Sequence, residues 1–265
     1  MKIFFAPDYP DMEGYSLIAM LHHLEYLVTL NPDDVFDVAM LWQDKTFLSV
    51  PPVLAKLATS RPVINIRCTD ISKENVEVAF VKTFGYSSLV DPTTFRGLCI
   101  KKPNENAVGY GFVVECPTRR REQEFVYQKL IDARPDAHQR EYRTPVILGE
   151  IPLVYVSNRD FPSGDLRDCQ RHLLTPTPTA DIYAQEEIEK LLAFSDEIGM
   201  DIGELDILRD KNDGRLYILD ANKTPTGFGL LNRAGWSPGD CKRTTVVLAE
   251  SLERGLTRIL REGYA

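Results

Sequence analysis

Oxygen-bearing side chains alternate along two apolar runs that flank the turn sequence Lys-Asn-Asp-Gly at 211–214. Apolar alternation on both sides of such a turn predicts a β-hairpin. With the turn centred there, Asp206 faces Asp220 and Glu204 faces Asn222. Because successive strand residues point to opposite faces, all four side chains are expected on one face of the hairpin.

This face could do metal chemistry. Three carboxylates and an amide repel one another unless a cation lies among them. Oxygen ligands suit Mg²⁺, which takes one or two carboxylates from a protein and further ligands from substrate phosphates. The simpler interpretation is the solvated outer face of an ordinary hairpin. The sequence favours a metal site, because Gly203 and the Asn-x-x-Pro turn at 222–225 are typical of the rim of a binding site.

The first third of the chain alternates predicted strands and helices. Strands are predicted at Lys2–Ala6, Val35–Trp42 and Val63–Arg67, and helices at Tyr15–Leu30 and Pro51–Thr59. This β-α-β-α-β order implies parallel strands covered by helices. The loop at 8–14 follows the first strand at the mouth of the sheet, which is the usual position of a substrate loop.

From about Lys82 the pattern changes to strands joined by short turns. Strands are predicted at Gly97–Lys102, Gly111–Cys116 and Glu124–Ile131, two more within Pro145–Asn158, and a helix at Asp181–Ile198. We therefore expect an α/β protein in which an N-terminal parallel domain precedes antiparallel sheets.

Composition narrows the class of protein. The chain has 265 residues, of which 43% are hydrophobic, so disorder and fibrous repeats are excluded. Its net charge of −8 disfavours nucleic acid as a partner. No segment has the length and hydrophobicity of a membrane span or signal sequence, and the five cysteines lack CxxC spacing. We expect a reduced cytoplasmic protein that binds neither membranes nor nucleic acid, and the oligomeric state stays open.

The hairpin and its tail resemble the ATP-grasp superfamily, whose signature is an acid, a spacer, Glu-x-Asn and then a turn with proline and glycine. Asp206, Asp220, Asn222 and the Thr-Pro-Thr-Gly sequence at 224–227 match it. The resemblance implies that Asp206, Asp220 and Asn222 bind magnesium ions that bridge the phosphates of ATP, so ATP and Mg²⁺ are the implied cofactors. Asp220 stands where glutamate is usual, and its side chain is shorter.

The resemblance extends from about Lys82 to the end of the chain, roughly two thirds of it. It implies two phosphate lysines, a glycine loop over the phosphates and a segment between two lobes that binds adenine. The implied nucleotide-binding residues are Lys82, Lys102, Gly109, Gly111, Gln128, Lys129, Leu130 and Ile131. For the glycine loop the alternative interpretation is a plain hairpin turn. For the adenine-binding segment it is an interior strand.

Three arginines are similar in spacing to those of the branch that contains glutathione synthetase and the ribosomal-protein glutamate ligases. They are Arg143, Arg159 and Arg167. The resemblance implies that they are catalytic and neutralise a transferring phosphoryl group. Asp168 stands where that branch often has asparagine.

The resemblance also implies the fold and the activity. An N-terminal parallel α/β (pre-ATP-grasp) domain at 1–80 is expected before a two-lobed α+β ATP-grasp fold, with a small lobe at 81–135 and a metal-binding large lobe at 136–265. The implied enzyme uses Mg-ATP, releases ADP, and activates a carboxylate of a small-molecule substrate as an acyl phosphate for ligation to an amine. Two alternatives remain: a kinase for a hydroxyl of a small molecule or sugar, and a nucleotide-binding protein without turnover.

Overall fold

Three β-sheets follow one another along the chain. The structure is a computed structural model that describes residues 1–11, 14–106, 108, 110–135, 138–160, 170–227 and 236–262. Antiparallel pairing in the second and third sheets follows a parallel first sheet. The predicted α/β class is therefore confirmed.

The first sheet is parallel, as the strand-helix alternation predicted. Its strands are β1 (Lys2–Pro7), β2 (Leu27–Thr29), β3 (Val38–Trp42) and β4 (Val63–Ile64), in the order β2-β1-β3-β4, and its helices are α1 (Ser16–His23) and α2 (Pro52–Leu57). Every residue of β3 is buried, as expected for a parallel strand that is covered on both faces.

The predicted first helix is too long. It ends at His23, and Glu25 has the positive φ of 55° that a continuing helix does not allow. The chain then reverses into β2, whose residues pair with Lys2–Phe4 at the edge of the sheet. Leu27, which lies inside the range of the predicted helix, is on β2 and is 61% exposed.

The second sheet is small and antiparallel. It contains β5 (Gly97–Pro103), β6 (Phe112–Cys116) and β7 (Phe125–Lys129), in the order β6-β5-β7. Before it comes α3 (Lys73–Phe84), which the sequence patterns did not predict. The predicted domain boundary between residues 80 and 81 falls inside this helix. Val76, Ala79 and Phe80 of α3 pack into the core of the third sheet.

The third sheet carries the predicted carboxylate hairpin. Its strands are β8 (Gln139–Ile147), β9 (Val154–Asp160), β10 (Gln170–Thr177), β11 (Ile202–Arg209) and β12 (Leu216–Asn222), in the order β10-β9-β8-β11-β12. The helices are α4 (Thr179–Ile182), α5 (Gln185–Glu197) and α6 (Pro238–Glu262). The single helix predicted at Asp181–Ile198 is thus divided in two, because Tyr183 has extended backbone angles.

The first and third sheets share one hydrophobic core. Ile3 and Phe5 of β1 belong to the same buried cluster as Ile147 and Tyr155 of the third sheet, and α6 contributes Leu252 to it. None of the helices traced in the described ranges has the length and hydrophobicity needed to cross a membrane. The described cysteines Cys68, Cys99, Cys116 and Cys241 are free thiols.

Asn65 joins the end of the first sheet to the start of β11. Its Oδ1 accepts hydrogen bonds from the backbone N–H groups of Asp201 (2.8 Å) and Ile202 (2.9 Å), and its Nδ2 donates to the carbonyl of Ile202 (2.9 Å). Asn65 is 1% exposed and has a φ of 59°, a conformation that asparagine tolerates better than most residues. Its contacts therefore hold the first sheet against the strand that carries Asp206.

Substitution of Asn65 should destabilise the protein through these lost bonds. Asn65→Ala leaves three buried backbone groups without partners and adds left-handed strain, so we expect a loss of about 3 kcal/mol. Asn65→Gly loses the same bonds without the strain and should be about 1 kcal/mol less damaging. Chemical denaturation measures both. Equal stability of Asn65→Ala and the parental protein would contradict this role.

Candidate nucleotide and metal site

A cleft between the second and third sheets contains most of the residues that the sequence predicted. Its cavity of about 350 Å³ has the size of a small-molecule site. The predicted residues that line it are Lys102, Gly111, Gln128, Lys129, Leu130, Ile131, Arg143, Arg159, Asp206, Asp220 and Asn222. Residues 128–131 thus face the predicted metal ligands across one space.

Three predicted site residues are not placed in this cleft. Gly109 and Arg167 lie outside the described residues, as does Asp168. Lys82 is described, but its Nζ lies 2.5 Å from Oε2 of Glu197 on α5, and its side chain is 65% exposed. Lys82 is not among the residues lining the cleft, so the structure gives its predicted contact with phosphate no support.

The hairpin has the predicted register. Asp206 pairs with Asp220 and Glu204 pairs with Asn222, with an irregularity immediately after Asp206. The face is not the solvated outer face of the simpler interpretation, because the Asp206 and Asp220 side chains are only 15% and 25% exposed. Asn222 Oδ1 accepts a hydrogen bond of 2.9 Å from Nδ2 of Asn106, which orients the amide oxygen.

The electrostatics of this face fit a hard divalent cation. Burial raises the pKa of Asp206 to about 6, the Arg143 guanidinium opposes the rise, and the Glu141 and Asp220 carboxylates add to it. The buried Oδ1 atoms of Asp206 and Asp220 lie in ion pairs, 3.2 Å from Nη1 of Arg143 and 3.0 Å from Nζ of Lys73, but neither contact has the geometry of a hydrogen bond. Neighbouring carboxylates whose oxygens are not held by hydrogen bonds of good geometry are suited to Mg²⁺.

The donor set is small. Nowhere in the described part of the chain do three or more His, Cys, Asp or Glu side chains surround a common metal position. Two carboxylates and the amide of Asn222 are what the structure offers. Such a set suits a magnesium ion that also binds phosphate oxygens and water rather than one held by protein alone.

Arg143 neutralises the carboxylates around it. Its Nε and Nη2 donate to Oε1 of Glu204 at 2.8 and 2.5 Å, and its Nη1 lies 3.2 Å from Oδ1 of Asp206. Burial lowers the pKa of Arg143, but Asp206, Glu204 and Glu141 outweigh it, and the net pKa is raised. Arg143 is therefore permanently charged and already paired.

Arg159 has a donor to spare. Its Nη2 is hydrogen-bonded to Oε1 of Glu141, whereas its buried Nε donates no hydrogen bond to any described residue. Because Arg159 also lines the cleft, this donor is suited to an anionic ligand. Of the two predicted arginines that the structure describes, Arg143 and Arg159, Arg159 is the better candidate for contact with a phosphoryl group.

Lys102 lies in β5 and Gly111 immediately precedes β6, and both line the cleft. Lys102 Nζ donates to Oε1 of Gln128 at 2.8 Å. Burial lowers the pKa of Lys102, and the negative charge of Asp220 acts against that shift. A Cβ at Gly111 would lie 3.2 Å from Cγ2 of Ile100 and 3.3 Å from Cγ of Lys102, so a larger residue would press on both side chains.

Lys73 is a site residue that the sequence reasoning missed. It is the first residue of α3 and is 9% exposed. Its Nζ lies 3.0 Å from Oδ1 of Asp220 and 2.9 Å from the carbonyl of Glu105. A cation at the positive end of a helix dipole is unfavourable, and a lysine directly after the N-cap Ser72 was the signal that could have identified it.

A second cavity, of about 490 Å³, adjoins the first at Asn106, Arg143 and Asn222. Its other walls are residues 44–47, which follow β3, and residues 224–226. Asp44 lines both this cavity and a third one of about 260 Å³, which contains the predicted substrate-loop residues Asp8 and Tyr9. The metal face therefore lies between the cleft and a space built partly from the first sheet.

Comparison with known proteins supports the fold. No protein-family model matches the sequence, and no curated protein matches it either. The ATP-grasp ligase PsnB, complexed with a minimal precursor, is 13% identical and has a TM-score of 0.60, covering 96% of this chain and 98% of its own. PsnB with a phosphomimetic variant of that precursor, Mg and ADP is 12% identical, with the same coverage and TM-score.

A third PsnB structure, complexed with the precursor peptide PsnA2 and AMPPNP, is 13% identical and has a TM-score of 0.56, covering 96% of both chains. The likeness extends over nearly the whole chain at low identity. The chain therefore has the ATP-grasp fold, as the resemblance of its hairpin implied.

The two lysines Lys73 and Lys82 give a matched test of the site. Lys73→Met removes a cation from the cleft and should weaken binding of Mg-ATP about tenfold or more, because hydrogen bonds to charged groups contribute about 1.5–3 kcal/mol. Lys82→Met removes a cation from the outer surface and should leave affinity unchanged. Isothermal titration calorimetry measures both variants. A loss of Mg-ATP affinity in Lys82→Met but not in Lys73→Met would instead support the phosphate contact of Lys82 that was predicted from sequence.

Proposed function

We propose that this protein is a Mg-ATP-dependent, ADP-forming ligase that activates a carboxylate as an acyl phosphate and joins it to an amine. The observation that carries the proposal is the meeting of two cavities at Arg143 and Asn222. One cavity has the lysines and acidic face expected for Mg-ATP, and the other is open to an acceptor.

In the proposed complex each group in the cleft has one task. Residues 128–131 hold the adenine, while Lys73 and Lys102 bind phosphate oxygens. Asp206, Asp220 and Asn222 hold magnesium, which supplies charge neutralisation at the phosphates. Phosphoryl transfer requires little covalent chemistry from a protein, so positioning and charge neutralisation are sufficient roles for these residues.

The arginines divide the catalytic work. Arg159 supports the transferring phosphoryl group through its Nε, which has no described acceptor. Arg143, held by Glu204 and Asp206, has a fixed position between the two cavities and neutralises these carboxylates. The acceptor carboxylate attacks the terminal phosphorus from the second cavity and displaces ADP. The amine then attacks the acyl carbon, loses a proton and displaces inorganic phosphate.

The acceptor is either a small molecule or a peptide. The second cavity of about 490 Å³ is larger than a single small acid needs. The neighbouring PsnB structures are complexes with a minimal precursor and with the precursor peptide PsnA2. A peptide carboxylate therefore belongs among the candidate acceptors together with the small molecule expected from sequence.

A kinase is the second candidate. A hydroxyl acceptor favours a carboxylate base within reach of it, and Asp44 lines the second cavity, where it accepts a hydrogen bond of 2.9 Å from Thr224 Oγ1. The ligase is preferred, because the PsnB structures that share the fold are ATP-grasp ligases. A binding protein without turnover would not need the full set of lysines, acids and arginines.

A trapping experiment separates these functions. Free acids and peptides are incubated with Mg-ATP and hydroxylamine, and sugars and polyols are incubated with Mg-ATP alone. The ligase is expected to form a hydroxamate together with ADP, because hydroxylamine attacks an acyl phosphate. Asp220→Asn, which weakens the metal face, should abolish the product, and Lys82→Met should retain it. A stable phosphomonoester with no hydroxamate from any acid would support the kinase instead.

A further inference from the structure

A chain of hydrogen bonds leads away from Lys102 behind the cleft. Lys102 Nζ donates to Oε1 of Gln128 at 2.8 Å, and Nε2 of Gln128 donates to Oγ of Ser88 at 3.3 Å. Ser88 Oγ in turn donates to Oε2 of Glu77 at 2.6 Å. Gln128 is 5% exposed and Ser88 is 2% exposed, so water is largely excluded from the chain.

The direction of each bond is fixed by the chemistry of its two ends. The ammonium of Lys102 only donates, and the carboxylate of Glu77 only accepts. The hydroxyl of Ser88 must therefore give its proton to Glu77, which leaves its lone pairs for Nε2 of Gln128. The amide of Gln128 is thereby held with its oxygen towards Lys102. The opposite orientation would place an NH₂ group against an ammonium.

We propose that Glu77 and Ser88 are positioning residues that hold the Gln128 amide oxygen against Lys102 and so present this lysine to the nucleotide phosphates. The inference rests on the role of Lys102 in the proposed function. Neither Glu77 nor Ser88 lines the cleft, so both act through Gln128.

Helix α3 positions both Lys73 and Lys102. Lys73 opens α3, and Glu77 lies one turn later on that helix. Residues four apart share a face of a helix, so α3 supplies one phosphate lysine directly and orients the other through Ser88 and Gln128. Lys102 reaches the cleft from β5 and Lys73 from α3, and α3 fixes their relative position.

Ser88 is suited to a clean substitution because its backbone is held independently. Its carbonyl accepts from the N–H of Lys129 at 2.8 Å, and its own N–H donates to Oε1 of Glu77 at 2.9 Å. Ser88→Ala therefore removes only the hydroxyl. The adjacent Ser87 gives a matched control, since its hydroxyl donates to the same Glu77 carboxylate and makes no hydrogen bond to Gln128.

The experiment measures the dissociation constant for Mg-ATP by calorimetry in the full-length chain. Ser88→Ala should weaken binding about tenfold, the effect of losing one oriented bond to a charged group, and Ser87→Ala should change it less than twofold. Both variants should unfold in a single transition close to the parental melting temperature, which separates orientation from loss of fold.

A double-mutant cycle tests the mechanism. In the Gln128→Glu background both oxygens of the new carboxylate accept, so there is no orientation to fix, and adding Ser88→Ala should cost less than twofold. If the parental protein binds Mg-ATP and Ser88→Ala binds it equally well, the positioning role is wrong. An equal loss of Mg-ATP affinity in both backgrounds also contradicts the positioning role. Neither result affects the proposed function. A folded parental protein that does not bind Mg-ATP overturns the proposed function, and this role with it.

Discussion

The buried guanidinium of Arg143 is the charge around which the site is arranged. It links Glu204 and Asp206 of β11 to its own strand β8, with Glu141 close by. Carboxylates taken out of water cost several kcal/mol each unless they are paired. β8 and β11 are neighbouring strands in which Arg143 pairs directly with Asp206, and the hairpin can carry Glu204 and Asp206 in buried positions because Arg143 compensates their charge.

Further ion pairs extend this arrangement to the other elements. Lys73 brings α3 to Asp220, and Arg159 brings β9 to Glu141. The Lys73–Asp220 pair joins two elements that are distant in sequence, so it also helps to define how they meet. The Oδ1 atoms of Asp206 and Asp220, which these ion pairs hold without hydrogen bonds of good geometry, lie in this cluster, where a metal ion bound to phosphate can lie.

Sequence predicted the hairpin best because its information is local. The turn residues and the period of two fix the register, and the pairing of Asp206 with Asp220 followed from these alone. The parallel first sheet was predicted for the same reason, from alternating strands and helices. The order of strands in the third sheet depends on contacts between distant segments, which no local pattern contains.

The failures have equally physical causes. The first helix was predicted to continue to Leu30, whereas Glu25 turns the chain and Leu27 lies on an edge strand. Helix α3 has Val78 and Val81 exposed, so its apolar residues do not form a clear stripe. Without that helix, Lys73 had no predicted place, and the phosphate contact was assigned to Lys82 by resemblance alone.

The central claim is that Asp206, Asp220 and Asn222 bind a divalent metal ion that also contacts the nucleotide. The most direct measurement is anomalous diffraction from crystals grown with Mn²⁺ and a non-hydrolysable ATP analogue. The account predicts one anomalous peak or more at bonding distance from the oxygens of these three side chains, with phosphate oxygens completing the coordination. A nucleotide bound in the cleft with no such peak, or a peak bound only by other residues, would contradict it.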